Sequence, residues 1–190
     1  MTVITISGKA ESGKDTTANI LKERLEDMGY SVLITHYADL LKYICKQFFG
    51  WDGQKNEEGR TLLQRVGTEG IRKYNPDYWV RFIMEILAYF QDEWDFVLIP
   101  DARFPNEIDL MKEDFDCISV QIYRPNYENH LTEEQRKHIS EVALDEYRFD
   151  YQISNPGNLG GLVDEINRFI NQMFEGFVKK TLLDKIREHL

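Results

Sequence analysis

Two glycines and a lysine near the start of the chain have the spacing of a phosphate-binding loop. The segment reads Gly8-Lys9-Ala10-Glu11-Ser12-Gly13-Lys14-Asp15-Thr16. Gly8 and Gly13 permit backbone angles that turn amide N–H groups towards an anion. A helix that begins near Lys14 adds the positive end of its dipole, and the lysine can reach the β- and γ-phosphates of a triphosphate. The segment therefore predicts a site for phosphoryl transfer.

The residue after this lysine determines how a metal ion would be held. Serine or threonine is usual there, whereas this chain has Asp15, followed by Thr16 and Thr17. A carboxylate at position 15 can contact Mg²⁺ directly or through water, and the Thr16 hydroxyl is the alternative ligand. Both interpretations stay open.

A second set of polar residues follows an apolar run. Phe96–Ile99 predicts a buried strand, and Pro100-Asp101-Ala102-Arg103 comes directly after it. Because ligands bind at the carboxyl ends of parallel strands, Asp101 should face the same crevice as the loop. It can hold magnesium-bound water or accept a proton, and Arg103 can bind a phosphate through two hydrogen bonds. A surface ion pair between Asp101 and Arg103 is the plainer alternative. Glu107 either holds Arg103, contacts substrate or is solvated.

Composition narrows the choice of ligand. The 190 residues carry a formal net charge of −10, so the overall field repels polyanions. Any phosphate must be bound by a local cluster of donors, which favours a small phosphorylated ligand over a nucleic acid polymer. No run is long enough to span a membrane, and Cys45 and Cys117 fit reduced core residues. The start of the chain does not have the pattern of a signal peptide, so we expect a cytoplasmic protein.

Strands alternate with helices along the chain. The apolar patterns predict strands at Thr2–Ser7, Ser31–Thr35, Phe96–Ile99, Cys117–Tyr123 and Tyr151–Ser154. They predict helices at Thr16–Met28, Ala38–Phe49, Glu57–Lys73, Pro76–Gln91, Pro105–Lys112 and from Leu159 onward. Gly29 is expected to end the first helix in a left-handed conformation. Such alternation predicts an α/β domain, a mostly parallel sheet covered by helices on both faces.

Several sequence blocks follow one another along the chain. They are Ser7-Gly8 through Gly13-Lys14-Asp15-Thr16-Thr17, Leu63-Gln64-Arg65-Val66-Gly67-Thr68-Glu69, Tyr78-Trp79-Val80, Pro100-Asp101-Ala102-Arg103 with Glu107, Arg124-Pro125, His138-x-Ser140-Glu141 and Ile153-x-Asn155. In these blocks and their order the chain resembles the bacteriophage-type deoxynucleoside monophosphate kinases, a branch of the P-loop nucleotide kinases. Two features depart from the family: Glu11 stands where a phage enzyme has a basic residue, and the segment between Phe49 and Arg60 is shorter.

The resemblance implies a single three-layer P-loop nucleoside kinase domain over residues 1–190. An acceptor-binding helical region would span about residues 38–92, and a lid about residues 124–144. For donor binding the resemblance implies Gly13, Lys14, Asp15, Thr16 and Thr17, and Gly8, Glu11 and Asn155 are further candidates. For acceptor binding it implies Leu41, Lys42, Gly67, Thr68, Trp79, Asp101, Arg103 and Glu107, and Lys9, Ala10 and Arg65 are further candidates. Lys14, Asp101 and Arg103 are the candidate catalytic residues, and Asp15, Thr16 and Asp101 the candidate Mg²⁺ ligands.

The helical region and the lid each have a simpler interpretation. Arg65 and Arg72 are one heptad apart and should share a helix face, although they can equally belong to a solvated surface. Trp79 either stacks on a base or packs in the core. Arg124, Arg136, Lys137 and His138 supply polar or cationic groups suited to a closing lid or to an ordinary charged loop; His138 fits a loop residue better than a base. Asn155 either borders the donor base or forms a turn.

Taken together, the residues predict an ATP- and Mg²⁺-dependent kinase that converts a (deoxy)nucleoside monophosphate into the diphosphate. The alternatives are a kinase of another phosphorylated metabolite, of the phosphomevalonate or dephospho-coenzyme A type, and a nucleotide-binding module without catalysis. The expected partners are small nucleotides. Apolar residues within Phe174–Leu190 can pack on the core or form a homodimer.

Overall fold

A parallel sheet forms the centre of the computed structural model, which describes residues 1–54, 56–125 and 127–187, with side chains through residue 180. Within these residues there are five strands, which pair in the order β2-β3-β1-β4-β5 with all neighbours parallel. The strands are β1 (Thr2–Ser7), β2 (Val32–Ile34), β3 (Phe96–Ile99), β4 (Asp116–Tyr123) and β5 (Tyr151–Ser154).

Helices connect the strands on both faces of the sheet. They are α1 (Lys14–Asp27), α2 (Ala38–Phe48), α3 (Glu57–Gln64), α4 (Tyr78–Tyr89), α5 (Pro105–Asp114), the short α6 (Glu133–Lys137) and α7 (Ile139–Val142), and α8 (Leu159–Arg187). A π-helical segment, Arg65–Arg72, continues directly from α3. The three-layer α/β fold and its strand positions are confirmed, and Gly29 has the expected positive φ of 92°.

Alternating side chains of β1 supply two separate cores, one on each face of the sheet. Val3 packs with residues of α2, α4 and α5, whereas Ile4 and Ile6 pack with residues of α1 and α8. Trp79, which is 3% exposed, belongs to the first core, in agreement with the simpler interpretation. Burial on both faces explains why all four residues of β3 are apolar.

Two helix predictions differ from the structure. The carbonyl of Pro76 accepts hydrogen bonds from Arg72 and Asn106 instead of entering a helix, so α4 begins at Tyr78. The expected single helix from Glu57 to Lys73 changes to π-helical winding at Arg65. A π-helix closes i→i+5 hydrogen bonds, so residues seven apart do not share a face. Arg65 is accordingly exposed, while the side chain of Arg72 is 11% exposed.

The carboxyl-terminal helix packs on the second core over much of its length. Ile166, Phe169 and Met173 are buried, and the Phe174 ring stacks on Tyr30 with centroids 5.7 Å apart. The side chains of Leu182, Leu183 and Ile186, and the whole of His189 and Leu190, lie outside the described residues, so a homodimer stays a prediction. Among the described helices, none combines the length and apolar character needed to cross a bilayer.

Candidate active site

The phosphate-binding loop connects the end of β1 to the start of α1 in the middle of the sheet. Gly8 and Gly13 have φ values of 149° and 101°, which only glycine adopts without strain. A side chain at position 8 would also place its Cβ 2.5 Å from the carbonyl oxygen of Ile122 on β4. The loop therefore lies tightly against the neighbouring strand.

Lys14 points back into the loop from the first turn of α1. Its Nζ donates to the carbonyl oxygens of Gly8 at 2.9 Å and Lys9 at 2.8 Å. Burial, and secondly the charge of Arg103, lower the pKa of Lys14 to about 7, although Glu141, Asp15 and Asp101 oppose the shift. A bound phosphate would restore the charged form because the charges attract.

The first turn of α1 presents oxygen atoms that suit magnesium. Asp15 and Thr16 are exposed at the mouth of the loop, and Nε2 of His36 lies 3.5 Å from the Asp15 carboxylate. Among the described residues, no three His, Cys, Asp or Glu side chains are grouped so as to hold a metal ion. Mg²⁺ is usually held by one or two carboxylates together with waters and substrate phosphates. Thr17 is fully buried, and its hydroxyl has no hydrogen-bond partner among the described residues.

A cavity of about 410 Å³ lies on the β5 side of the loop. Glu11, Gly13, Lys14, Asp15 and Thr16 line it together with Arg124, Asn155 and the start of α8. The Asn155 amide donates to the Ser12 carbonyl at 2.8 Å, and its oxygen accepts from the Gly157 N–H at 3.0 Å. Asn155 thus holds the loop at the cavity edge and forms the turn that was one of its two alternatives, while contact with a donor base stays a prediction.

A second cavity, of about 380 Å³, lies on the other side of the loop against α2, α4 and the π-helical segment. Among the predicted acceptor residues, Ala10, Leu41, Lys42, Gly67, Thr68, Trp79, Asp101, Arg103 and Glu107 line it. Lys9 and Arg65 do not. Arg60 and Arg72, on the same helical region, also line the cavity. The regular helix expected from the sequence gave the wrong face for Arg65.

Asp101 serves the backbone of α2. Its two carboxylate oxygens accept hydrogen bonds from the N–H groups of Tyr37 at 2.9 Å and Ala38 at 3.0 Å. A carboxylate satisfies such unpaired amides at the start of a helix. The two oxygens therefore anchor the wall of the cavity, and a role of Asp101 as a metal ligand or proton acceptor stays a prediction.

Glu107 lies at the buried base of the cavity and organises two arginines. Its carboxylate accepts from the backbone N–H groups of Arg103 at 2.6 Å and Phe104 at 3.0 Å, and forms a close ion pair with Arg72. The Arg72 guanidinium also lies 4.0 Å from the Phe104 ring centroid. Burial raises the pKa of Glu107, while Arg72 and the two amides act in the opposite direction.

Trp79 and Gly67 shape the apolar wall of the same cavity. The Trp79 indole N–H donates to the Gly67 carbonyl at 3.2 Å, and a Cβ on Gly67 would lie 2.6 Å from a methyl group of Leu41. Trp79 is therefore a core residue with one edge at the cavity. Lys42 lines the opposite rim, where its Nζ lies 2.8 Å from Asp39.

The predicted lid residues form a loop with two short helices over the site. Arg124 donates to the Glu11 carbonyl at 3.2 Å and stacks on Tyr127, with its guanidinium carbon 3.7 Å from the ring centroid. Arg136 is exposed and binds the Asn129 carbonyl at 2.7 Å. Lys137 is 81% exposed in its side chain, and His138 begins α7 by accepting from the Ser140 N–H. Arg124 alone of these four lines either cavity.

Glu141 of α7 occupies the space between the loop and Arg103, and its role was not predicted. One carboxylate oxygen lies 2.5 Å from Arg103, and the other accepts from the Ala10 N–H at 3.1 Å. Lys9 donates to the Glu141 carbonyl at 2.6 Å and pairs closely with Asp145. The His138-x-Ser140-Glu141 block was the one signal in the sequence that marked this residue.

Glu11 connects the loop to the lid. It has a positive φ of 62°, and its carboxylate accepts from the Tyr127 hydroxyl at 2.9 Å and the His130 N–H at 3.2 Å. Its other oxygen lies 3.9 Å from Arg60. The acidic residue at this loop position thus holds the lid with its side chain.

The phosphate-binding loop follows the central strand of a parallel sheet, leads into the first helix and lies between two cavities. This arrangement places the chain in the class of P-loop kinases. The shikimate kinase of Aquifex aeolicus vf5 superposes with a TM-score of 0.54 at 15% identity, covering 93% of this chain and 99% of that one. At this identity the likeness concerns the fold alone.

Sequence comparison identifies the family. Residues 48–166 match the deoxynucleotide monophosphate kinase family. The putative deoxynucleotide monophosphate kinase of Acanthamoeba polyphaga mimivirus is 30% identical over 170 residues, covering 76% of this chain and 82% of that protein. The deoxynucleotide monophosphate kinase of Enterobacteria phage T4 is 29% identical over 109 residues, covering 56% and 43%. The chain belongs to the deoxynucleotide monophosphate kinase family, which confirms the resemblance seen in the sequence.

Proposed function

We propose that the chain transfers the γ-phosphoryl group of ATP to the phosphate of a deoxynucleoside monophosphate, with the donor in the β5-side cavity and the acceptor in the α2-side cavity. One observation carries this arrangement. Glu11, Lys14 and Asp15 line both cavities, so a phosphate bound at the loop borders both ligands. In the reaction, the bond from the γ-phosphorus to the β–γ bridging oxygen breaks, and a new bond forms to an acceptor phosphate oxygen.

The loop would bind the donor through its amides and Lys14. Gly13 and Lys14 supply N–H groups at the positive end of α1, and the lysine ammonium exchanges its two carbonyl partners for phosphate oxygens. Asn155 keeps the loop in shape from β5. Such fixed donors stabilise the charge that moves to the bridging oxygen.

Asp15 and Thr16 are the residues that would hold Mg²⁺. The ion, when bound, supplies positive charge to the β- and γ-phosphate oxygens. His36 lies between Asp15 and Asp39, 3.5 Å from one and 3.3 Å from the other, and its hydrogen bond to Asp15 raises its pKa. This contact would restrict the rotation of the Asp15 side chain.

Arginines would orient the acceptor phosphate. Arg103, Arg60 and Arg72 line the α2-side cavity, the last of them fixed between Glu107 and Phe104. The acceptor is already ionised, so little proton removal is needed, and positioning supplies most of the acceleration. The lid would exclude water from the reacting phosphates.

An assay across acceptors tests the proposal. The purified chain, with ATP and Mg²⁺, is offered each of the four common deoxynucleoside monophosphates, the ribose forms and a non-nucleotide phosphate, and diphosphates are separated by anion exchange. Diphosphate should form from at least one deoxynucleotide and disappear in Lys14→Ala. If no monophosphate reacts, or a non-nucleotide reacts best, the proposal is wrong.

The phage and mimivirus relatives support action in the cytoplasm of an infected cell.

A further inference from the structure

We infer that Glu141 is a positioning residue: it fixes the guanidinium of Arg103 against the phosphate loop when the lid is closed, an inference that rests on the proposed function. Its two carboxylate oxygens bind different parts of the site. One lies 2.5 Å from Nη1 of Arg103, on the segment after β3, and the other accepts from the Ala10 N–H of the loop at 3.1 Å.

Burial and the surrounding contacts make this bridge specific. The Glu141 side chain is 9% exposed, whereas that of Arg103 is 28% exposed. A charged hydrogen bond that is shielded from water is stronger than an exposed one. Lys9 binds the Glu141 carbonyl at 2.6 Å and pairs with Asp145, so α7 and the following turn are fastened to the loop at three points.

Arg103 needs such a partner because only one end of it is fixed by its own segment. Glu107 binds its backbone N–H, which leaves the long side chain free to rotate. Glu141 engages Nη1, and the described residues accept no hydrogen bond from the other guanidinium nitrogens. Those nitrogens are therefore available to the acceptor phosphate while the first is held. An ordered guanidinium loses less entropy when the phosphate binds.

The test compares Glu141→Gln with Glu134→Gln, which removes the same charge from an exposed position on α6. We expect Glu141→Gln to lower kcat/KM for the best deoxynucleotide by about tenfold or more, with the Kd of a non-hydrolysable ATP analogue changed less than about twofold. Glu134→Gln should match the wild type. Glu141→Asp keeps the charge but is one methylene shorter, and should lose an intermediate amount.

A double-mutant cycle with Arg103→Ala distinguishes positioning from a structural role. If Glu141 acts through Arg103, the double variant should be little worse than Arg103→Ala alone. Additive losses, wild-type activity in either Glu141 variant, or tighter ATP-analogue binding in Glu141→Gln would each overturn the inference; the last would indicate a carboxylate that competes with phosphate. A wild-type chain inactive on every nucleotide would refute the proposed function instead.

Discussion

The backbone N–H of Arg103 donates to a carboxylate oxygen of Glu107 at 2.6 Å, and the other oxygen of that carboxylate pairs with Arg72. One buried acid therefore sets the position of two cavity arginines that are 31 residues apart in sequence. The carboxylate side chain is only 3% exposed, so its charge depends on these partners.

Removing Arg72 should destabilise the fold strongly. Arg72→Met leaves Glu107 buried without its cation, and we expect a loss of roughly 3–5 kcal/mol in the free energy of unfolding. Urea denaturation of the wild type and the variant measures this difference in the free energy of unfolding. Arg24→Met, on the exposed surface of α1, is the control and should change stability by less than about 0.5 kcal/mol. Equal effects of the two changes would show that the buried pair contributes nothing special.

The same variant should be more sensitive to high pH. Burial already raises the pKa of Glu107 in the folded protein, and loss of Arg72 raises it further. A raised carboxyl pKa means that the folded state binds more protons than the unfolded state, so stability falls as pH rises through the folded pKa. The loss caused by Arg72→Met should therefore be larger at pH 8 than at pH 5, and Arg72→Met/Glu107→Gln should recover part of it. A gap independent of pH would contradict this assignment.

Arg103→Ala should impair use of the acceptor. We expect kcat/KM for the deoxynucleotide to fall more than tenfold, about 1.4 kcal/mol or greater, because the guanidinium lines the α2-side cavity that we propose for the acceptor. The KM for ATP should change much less. Arg81→Ala, which removes an arginine that is 57% exposed in its side chain, controls for the charge. An unchanged acceptor response would remove Arg103 from the site.

Binding of ATP should take up a proton at alkaline pH. Without ATP, the Lys14 side chain has a pKa of about 7, so it is mostly neutral at pH 8. Bound phosphates favour its charged form. Affinity should consequently decrease as pH rises above 7. Calorimetry in two buffers of different ionisation enthalpy should give an uptake approaching one proton per ATP at pH 8. Lys14→Arg, which stays charged, should take up none; equal uptake in both proteins would exclude Lys14 as the source.

Glu11→Gln should loosen the lid. The uncharged amide accepts more weakly from Tyr127 and His130, so the lid should open more often. Limited proteolysis with trypsin should then cut faster at Arg136 or Lys137, both exposed. Glu23→Gln on the surface of α1 should be cut at the wild-type rate. Protection equal to wild type would show that Glu11 does not hold the lid.

The sequence predicted those features that depend on local pattern. Strands Phe96–Ile99 and Tyr151–Ser154 were predicted with their observed bounds, and the spacing of the loop glycines predicted the location of the site. Hydrogen-bond and ion-pair partners were harder to predict, because they depend on which groups meet in three dimensions. The sequence does not show that Asp101 accepts from two backbone N–H groups at the start of α2, and nothing near Glu141 in sequence reveals Arg103 or Ala10.

The π-helical winding explains why the predicted shared face of Arg65 and Arg72 was wrong. In an α-helix each residue turns the chain by about 100°, so a spacing of seven residues would bring Arg65 and Arg72 to one side. In the wider π-helical winding, Arg72 lines the cavity and Arg65 does not. The number of residues in this stretch thus matters to the proposed acceptor site as much as their identity. A deletion of Gly70 or Ile71 would redirect Arg72 while the block from Leu63 to Glu69 stayed intact.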